Sequence, residues 1–525
     1  MCDEQFGIFW NQFALLTIKK LVLDPRSTTL LFNSLQYLVF LPTVFFLYWI
    51  LPQKARVPLL LVASYVFYCS WRPIYGLLIF GLTLANFLLV PLIDKAAKAE
   101  GGKHLAFTAK GWLWVTVVAN LITLGIFKYA YFTMDMVKGG LGLFGVTWRE
   151  PHLHIILPLG ISFFVFEFIH YAMEVYRGKP VVKSFSALAL FASFFPTQIA
   201  GPIKRYQDFV PQLSEKIKFK WEYLDEGMQL ILMGLCKKVL LADNLALVVQ
   251  AGFAHPENFS SVDMWLITYA FAFQIFFDFA GYTDIARGSA LLFGYKVPIN
   301  FNLPYLAANV ADFWHRWHIS LSTWLRDYLF IPLGGSKCSK ILNYRNLFLT
   351  MALGGLWHGA AMHFLAWGAY QGIVLILHKE YLRLLDFVGI AKSLKENQTL
   401  AKVYHVFSVI ATFHIVCIGW VFFRAENMSI AGTIIGKLLQ APLELANFSA
   451  AKLAILQIRD PIIFPALLLL LPVLMIAQPV VNWLNDKAIY KSPPWALQVG
   501  VMVLLMCIIT VFSPDSSPSF IYFQF

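Results

Sequence analysis

Stretches of mostly apolar residues, each near the length needed to cross a bilayer, recur along this 525-residue chain from Leu31 onward. No other feature constrains the fold as strongly. A hydrocarbon core about 30 Å thick accepts only backbone whose hydrogen bonds close internally, so a run of about 20 apolar residues predicts a helix. The runs fall near 32–51, 57–72, 75–93, 112–131, 155–176, 228–252, 263–281, 346–377 (one long or two short), 403–423, 461–483 and 494–513. They amount to roughly eleven crossings. Composition agrees: 59% of the residues are hydrophobic and 13% charged, about half the charged share of a soluble domain. The expected class is an all-α polytopic membrane protein that has membrane lipid around it.

The net charge of +12 is distributed in a way that argues against nucleic acid as a partner. Its basic residues sit between the apolar runs, in "QKAR" (53–56), "DKAAKAEGGKHLAFTAK" (94–110), "RGKPVVK" (177–183) and the 204–220 stretch. Short Lys/Arg-rich loops beside spans face the cytoplasm, whereas 137–154 and the tail after Ser513 are poorer in Lys and Arg and are expected on the other side. Six scattered cysteines without C-x-x-C spacing support neither a disulfide framework nor a thiolate metal site. The first 28 residues carry Asp3 and Glu4 and lack a basic stretch before an apolar core, unlike a secretory signal.

Against this apolar background, "FWHRWHISLSTWLRDY" (313–328) gathers two histidines, two arginines and three tryptophans. Read as one helix, it aligns Trp314, Trp317, Leu321, Trp324 and Tyr328 on a stripe, with His315, His318, Ser322 and Arg326 on the adjoining one. An interfacial helix with an aromatic belt accounts for the tryptophans. Two histidines on one seam favour a proton-handling site, the usual meaning of ionisable groups at membrane depth.

A second candidate, His358, sits inside "RNLFLTMALGGLWHGAAMHF" (345–364), flanked by Gly354, Gly355 and Gly359. Small residues let backbone or substrate approach closely, and a neutral imidazole there can act as a general base. A structural histidine bonded to a neighbouring carbonyl is the alternative. His363, five residues on, lies on another face. Three more segments are polar or kinked for their setting. "FFDFAGYTDIARG" (276–288) places Asp284 three residues before Arg287, a spacing that predicts a local ion pair. "FFPTQIAGPIKRY" (194–206) breaks a hydrophobic run with two prolines and a glycine, which predicts a re-entrant segment. In "FNLPYLAANVADF" (301–313), Asn302-Leu303-Pro304 predicts a turn.

These segments occur in a recognisable order: "LPLGISFFVFEFIHYAMEVYRG" (157–178), "AGPIKRYQDF", "FDFAGYTDIARGSALLFGY", "FNLPY", "DFWHRWHISLSTWLRDYLFIPLGG", "RNLFLTMALGGLWHG" and a final "FIYFQF". Together they resemble the membrane-bound O-acyltransferase superfamily, in its bacterial branch of AlgI-like alginate O-acetyltransferases, related to the D-alanyl transfer protein DltB. The resemblance runs from Leu31 to Phe525 as one integral-membrane domain. Residues 1–30 are therefore expected to be a dispensable extension. Glu167 departs from the commoner wording, which has Gln.

The resemblance implies a ring of helices around a thin floor crossed by a central tunnel. It also implies two catalytic histidines, at His358 in L-W-H-G and His318 in W-H-x-S-L-S. Trp317, Ser322, Arg326, Asn302 and Trp357 are the expected substrate or tunnel residues, with no metal and no bound cofactor. Acetyl-CoA or another cytoplasmic acyl thioester would be the donor. The expected place is the bacterial inner membrane, and the expected partners are a periplasmic acyltransferase and polysaccharide synthesis and export proteins. The acceptor would be an exported polysaccharide such as alginate, with peptidoglycan, other envelope polymers or D-alanyl transfer as alternatives. Acyl transfer to an alcohol needs a base and oxyanion stabilisation, which suits two histidines. Two other classes compete. A di-metal oxidase would use H-x-x-H at 315–318 but needs further histidine boxes. A transporter or flippase fits the helix count but predicts paired, similarly interrupted halves, which the sequence lacks.

Overall fold

Polar residues at the edges of the apolar runs start the helices. Ser34 accepts from the Tyr37 amide at 3.2 Å and opens Leu35–Ile50. Thr108 does the same for Ala109–Leu124 through the Gly111 amide, and Asn397 for Gln398–Arg424 through the Leu400 amide. Each satisfies one backbone donor that a helix leaves open at its N-terminus. Pro73 occupies the first position of Pro73–Lys98, where its missing N–H costs nothing.

The computed structural model describes residues 34–99, 108–148, 155–446 and 495–512, with Leu30, Phe32, Pro151, Val473, Phe520 and Ile521. The expected 1–30 extension apart from Leu30, the expected span at 461–483 apart from Val473, and the His152/His154 pair lie outside these residues. Among the described residues the regular structure is helical. The 346–377 run is two helices, Lys340–His358 and Met362–Phe387. The 228–252 run is broken by a π-helical turn, Cys236–Ala242, between Trp221–Leu235 and Asp243–Ala254. Among the described residues, four helical stretches are long and apolar enough to cross a membrane: Pro73–Lys98, Ala109–Leu143, Ser261–Leu292 and Gln398–Arg424.

The residues form two compact units, one drawn from Met1–Cys236, Gly281–Pro298 and Val501–Ser517, the other from Lys237–Ala280, Ile299–Gly500 and Pro518–Phe525. In the first, Asn86 and Asn120 exchange amide hydrogen bonds of 3.2 and 3.0 Å and join the Pro73–Lys98 and Ala109–Leu124 helices. The Ile161–Tyr176 helix packs on both and is buried over most of its length. The proline-broken segment after Phe185–Ser193 is also buried, and protein satisfies its backbone: the Phe195 amide donates to Ser64 at 3.1 Å. Lys204, inside this break, donates to Glu167 at 2.8 Å and to Thr197 at 2.7 Å. Asp284 and Arg287 form the expected local pair, at 3.6 Å.

In the second unit an aromatic core surrounds Trp317, Trp367 and Trp420. Lys238, in the π-turn, pairs with Asp243 at 2.7 Å and Asp278 at 2.6 Å, all three almost fully buried. The other Asp278 oxygen accepts from the Ile521 amide at 2.8 Å, and Phe520 lies under the ammonium at 4.5 Å. This part of the chain's end is held by a buried charge cluster.

Candidate active site

The 313–328 stretch is not one helix. Val310–Arg316 ends at Trp317, Ile319–Leu325 begins after His318, and a π-helical turn follows over Arg326–Phe330. His318 is the break itself, with φ +42° and ψ +55°. A side chain with a Cβ is strained in that left-handed region, so neighbouring bonds must hold it. Asn300 supplies them. Its carbonyl accepts from the Ile319 amide at 2.9 Å, and its side-chain oxygen accepts from the Ser320 hydroxyl at 2.7 Å. The predicted seam is thereby split: His315 is exposed and His318 fully buried.

His358 is the last residue of Lys340–His358, and extended Gly359 turns the chain toward Met362–Phe387. These two helices pack very closely. A Cβ at Gly355 would collide with the Phe364 carbonyl, and one at Gly359 with the Phe364 ring. Glycine at both places seats His358 against its neighbours.

The two imidazoles lie side by side, ring centroids 6.4 Å apart. Phe279 stands edge-on to His318 at 4.7 Å. Around His358 stand Trp357 at 4.9 Å, Trp367 at 5.1 Å and Phe423 at 5.2 Å. Burial pushes the His318 imidazole down to about 3, so it stays neutral at neutral pH. His358 closes its helix, and the aromatic rings around both imidazoles keep water from them.

Comparison with known proteins now has a site to refer to. The profile of the MBOAT, membrane-bound O-acyltransferase family matches residues 104–421, which include both histidines. The chain belongs to the membrane-bound O-acyltransferase family. It is similar to the probable alginate O-acetylase AlgI of Pseudomonas syringae pv. tomato, 39% identical over 82% of this chain and 79% of the relative. The Azotobacter vinelandii protein of the same name is 36% identical over 94% of this chain and 100% of the relative. The peptidoglycan O-acetyltransferase of Helicobacter pylori is 36% identical, covering 77% and 79%. The protein is thus an O-acyltransferase and a multi-pass membrane protein.

Within this O-acyltransferase, Trp357 is buried beside both imidazoles, 6.1 Å from His318 and 4.9 Å from His358. Trp317 is buried one layer back, against Phe301 at 5.0 Å and Trp420 at 4.8 Å. Ser322 returns to its own turn, its hydroxyl donating to the Trp317 carbonyl at 3.0 Å. Arg326 and Asn302 are exposed. Arg326 pairs with Asp327 at 2.8 Å, and the Asn302 amide donates to the Arg316 carbonyl at 3.0 Å. Asn302 does precede the turn expected of it, with Leu303 left-handed and Pro304–Leu306 a 3₁₀ turn. The asparagine that sequence reasoning missed is Asn300, two residues earlier. Its signal was a polar side chain ahead of the histidine helix, but only the folded contact separates it from Asn302.

Proposed function

We propose that this enzyme takes an acetyl group from a cytoplasmic thioester, acetyl-CoA or a similar donor, and passes it toward an exported alginate-like polysaccharide. The observation that carries this reading is the pairing of two buried imidazoles 6.4 Å apart at two helix breaks, in a chain so similar to alginate O-acetylases. His358 acts as general base. It takes the acceptor hydroxyl proton as the oxygen bonds to the thioester carbonyl carbon. The tetrahedral intermediate then expels the thiolate, and the His358 imidazolium returns the proton to that sulfur. His318, neutral, orients the reacting groups through hydrogen bonds. Positioned acid–base groups contribute about 10²–10⁴-fold.

Roughly eleven crossings would form a ring in the bacterial inner membrane, with a central tunnel that brings donor and acceptor to the histidines from opposite faces. Trp317, Trp357 and Ser322 would line it. Exposed Arg326 and Asn302 would serve at a mouth, where a guanidinium meets anionic groups of the donor. A periplasmic acyltransferase partner, working beside polymer synthesis and export proteins, would complete the transfer. The similarity to a peptidoglycan O-acetyltransferase favours peptidoglycan as the second choice of acceptor.

The test is acyl transfer by folded His358→Gln protein, with donor affinity measured alongside. Glutamine keeps a polar side chain but forms no stable cation, so transfer should nearly vanish while the donor still binds. Near-normal transfer would overturn the base assignment. Supplying alginate and peptidoglycan separately, with the periplasmic partner, decides the acceptor.

A further inference from the structure

Some tryptophans in this protein place the indole N–H on a nearby acceptor, and others, Trp314 among them, meet none among the described residues. Trp420 donates to the Tyr305 hydroxyl at 3.2 Å, and Trp265 to the Leu438 carbonyl at 3.0 Å. Trp367 does not. It is 2% exposed, and its Nε1 meets no acceptor among the described residues. An unsatisfied buried donor is costly, and beside His358 the donor has a use.

The Trp367 ring stands edge-on to His358, centroids 5.1 Å apart and planes at 88°. On its other sides lie Phe423 at 5.1 Å, Trp420 stacked at 5.9 Å and Trp314 at 5.9 Å. We propose that the indole N–H of Trp367 is an oxyanion donor, hydrogen-bonding the acyl carbonyl oxygen as it gains charge during transfer. This rests on the assignment of His358 as the base. An alkoxide formed at His358 attacks from about 3–3.5 Å, so the acyl carbonyl must sit within one ring's width of that imidazole. There, Trp367 offers a donor that no acceptor among the described residues has taken. As the hydroxyl oxygen bonds to carbon, the carbonyl π-electrons move onto oxygen, and the indole N–H stabilises them. When the C–S bond breaks, the charge leaves with the thiolate and the hydrogen bond relaxes. The donor is fixed by packing, so it needs no reorganisation at the moment of reaction.

The experiment replaces Trp367 with β-(3-benzothienyl)alanine, which keeps the bicyclic shape and puts sulfur where the N–H was. Full-length protein in detergent is assayed for acetyl transfer from acetyl-CoA, with donor KM and thermal midpoint recorded. The expected result is a kcat loss of about 10²–10³-fold with KM and midpoint near wild type. With a dithioacetyl donor, whose thiocarbonyl sulfur accepts hydrogen bonds poorly, the same substitution should cost much less. W314F, which removes a neighbouring indole N–H, should stay within about threefold of wild type. Turnover by the isostere within about threefold of wild type, or a loss equal for oxygen and sulfur donors, overturns the proposal. Failure of the base assignment is separate: H358Q would then be active whatever the isostere does.

Discussion

At the scale of single residues, the site depends on a strained backbone more than on any one bond. His318 sits at φ +42° only because Asn300 clamps the turn behind it. Asn300→Ala should lower stability by about 1–3 kcal/mol through the lost hydrogen bonds and the Ser320 hydroxyl left behind. As His318 shifts, kcat should fall about 10²-fold, read against the thermal midpoint. Asn300→Asp keeps the acceptor oxygen and should recover part of both. His318→Ala should cut turnover severely while the protein remains folded, and turnover near wild type would reduce this histidine to a packing residue. Glu167 and Lys204 pose a different question, since both are buried. Glu167→Gln leaves the ammonium without its counter-charge and should cost about 3–5 kcal/mol. Adding Lys204→Met should restore much of that, measured as thermal midpoints of the single and double variants.

At the scale of elements, the helix pair Lys340–His358 and Met362–Phe387 acts as the jig for the His358 imidazole. Its register was legible in part: the glycines at 354, 355 and 359 announced close packing, and L-W-H-G announced the histidine. What they pack against was not legible, because the collision partners lie on the next helix. Gly355→Val would force the helices apart at the Phe364 carbonyl, with an overpacking cost of about 1–3 kcal/mol and a larger loss of kcat. Gly436, in Met428–Ala446, has open space where a side chain would go. Gly436→Ala should therefore leave turnover unchanged and gain up to about 1 kcal/mol. The same comparison explains the misread seam at 313–328. A 3.6-residue period describes apolar and polar faces only while the helix continues, and no local signal in W-H-I-S marks the left-handed residue that ends it.

At the scale of the whole molecule, the buried cluster of Lys238, Asp243 and Asp278 ties distant parts of the chain together, because Phe520 and Ile521 complete it. Lys238→Met would leave two buried carboxylates facing each other and should cost about 3–5 kcal/mol. Removing the chain from Phe520 onward should destabilise the protein less, since the ion pairs survive. Both are read by thermal unfolding in detergent, and an equal loss would show that the end segment is the cluster's main support. At the other end, we propose that a chain starting with Met before Leu31 retains acyl transfer. Loss of membrane insertion in that variant would show that the first 30 residues belong to the working protein.

The sequence by itself determined the class and the family, and it singled out two candidate histidines. Those signals are local: apolar run length follows from bilayer thickness, and ordered short motifs survive without knowledge of their contacts. Only the tertiary structure decided that the His318 and His358 imidazoles lie side by side, that Asn300 rather than Asn302 holds the first, and that Arg326 stands outside in an ion pair. It also decided which buried indole stands against His358. These facts depend on residues tens to hundreds of positions apart coming within a few ångströms, and periodicity along one segment carries no information about the partner on another.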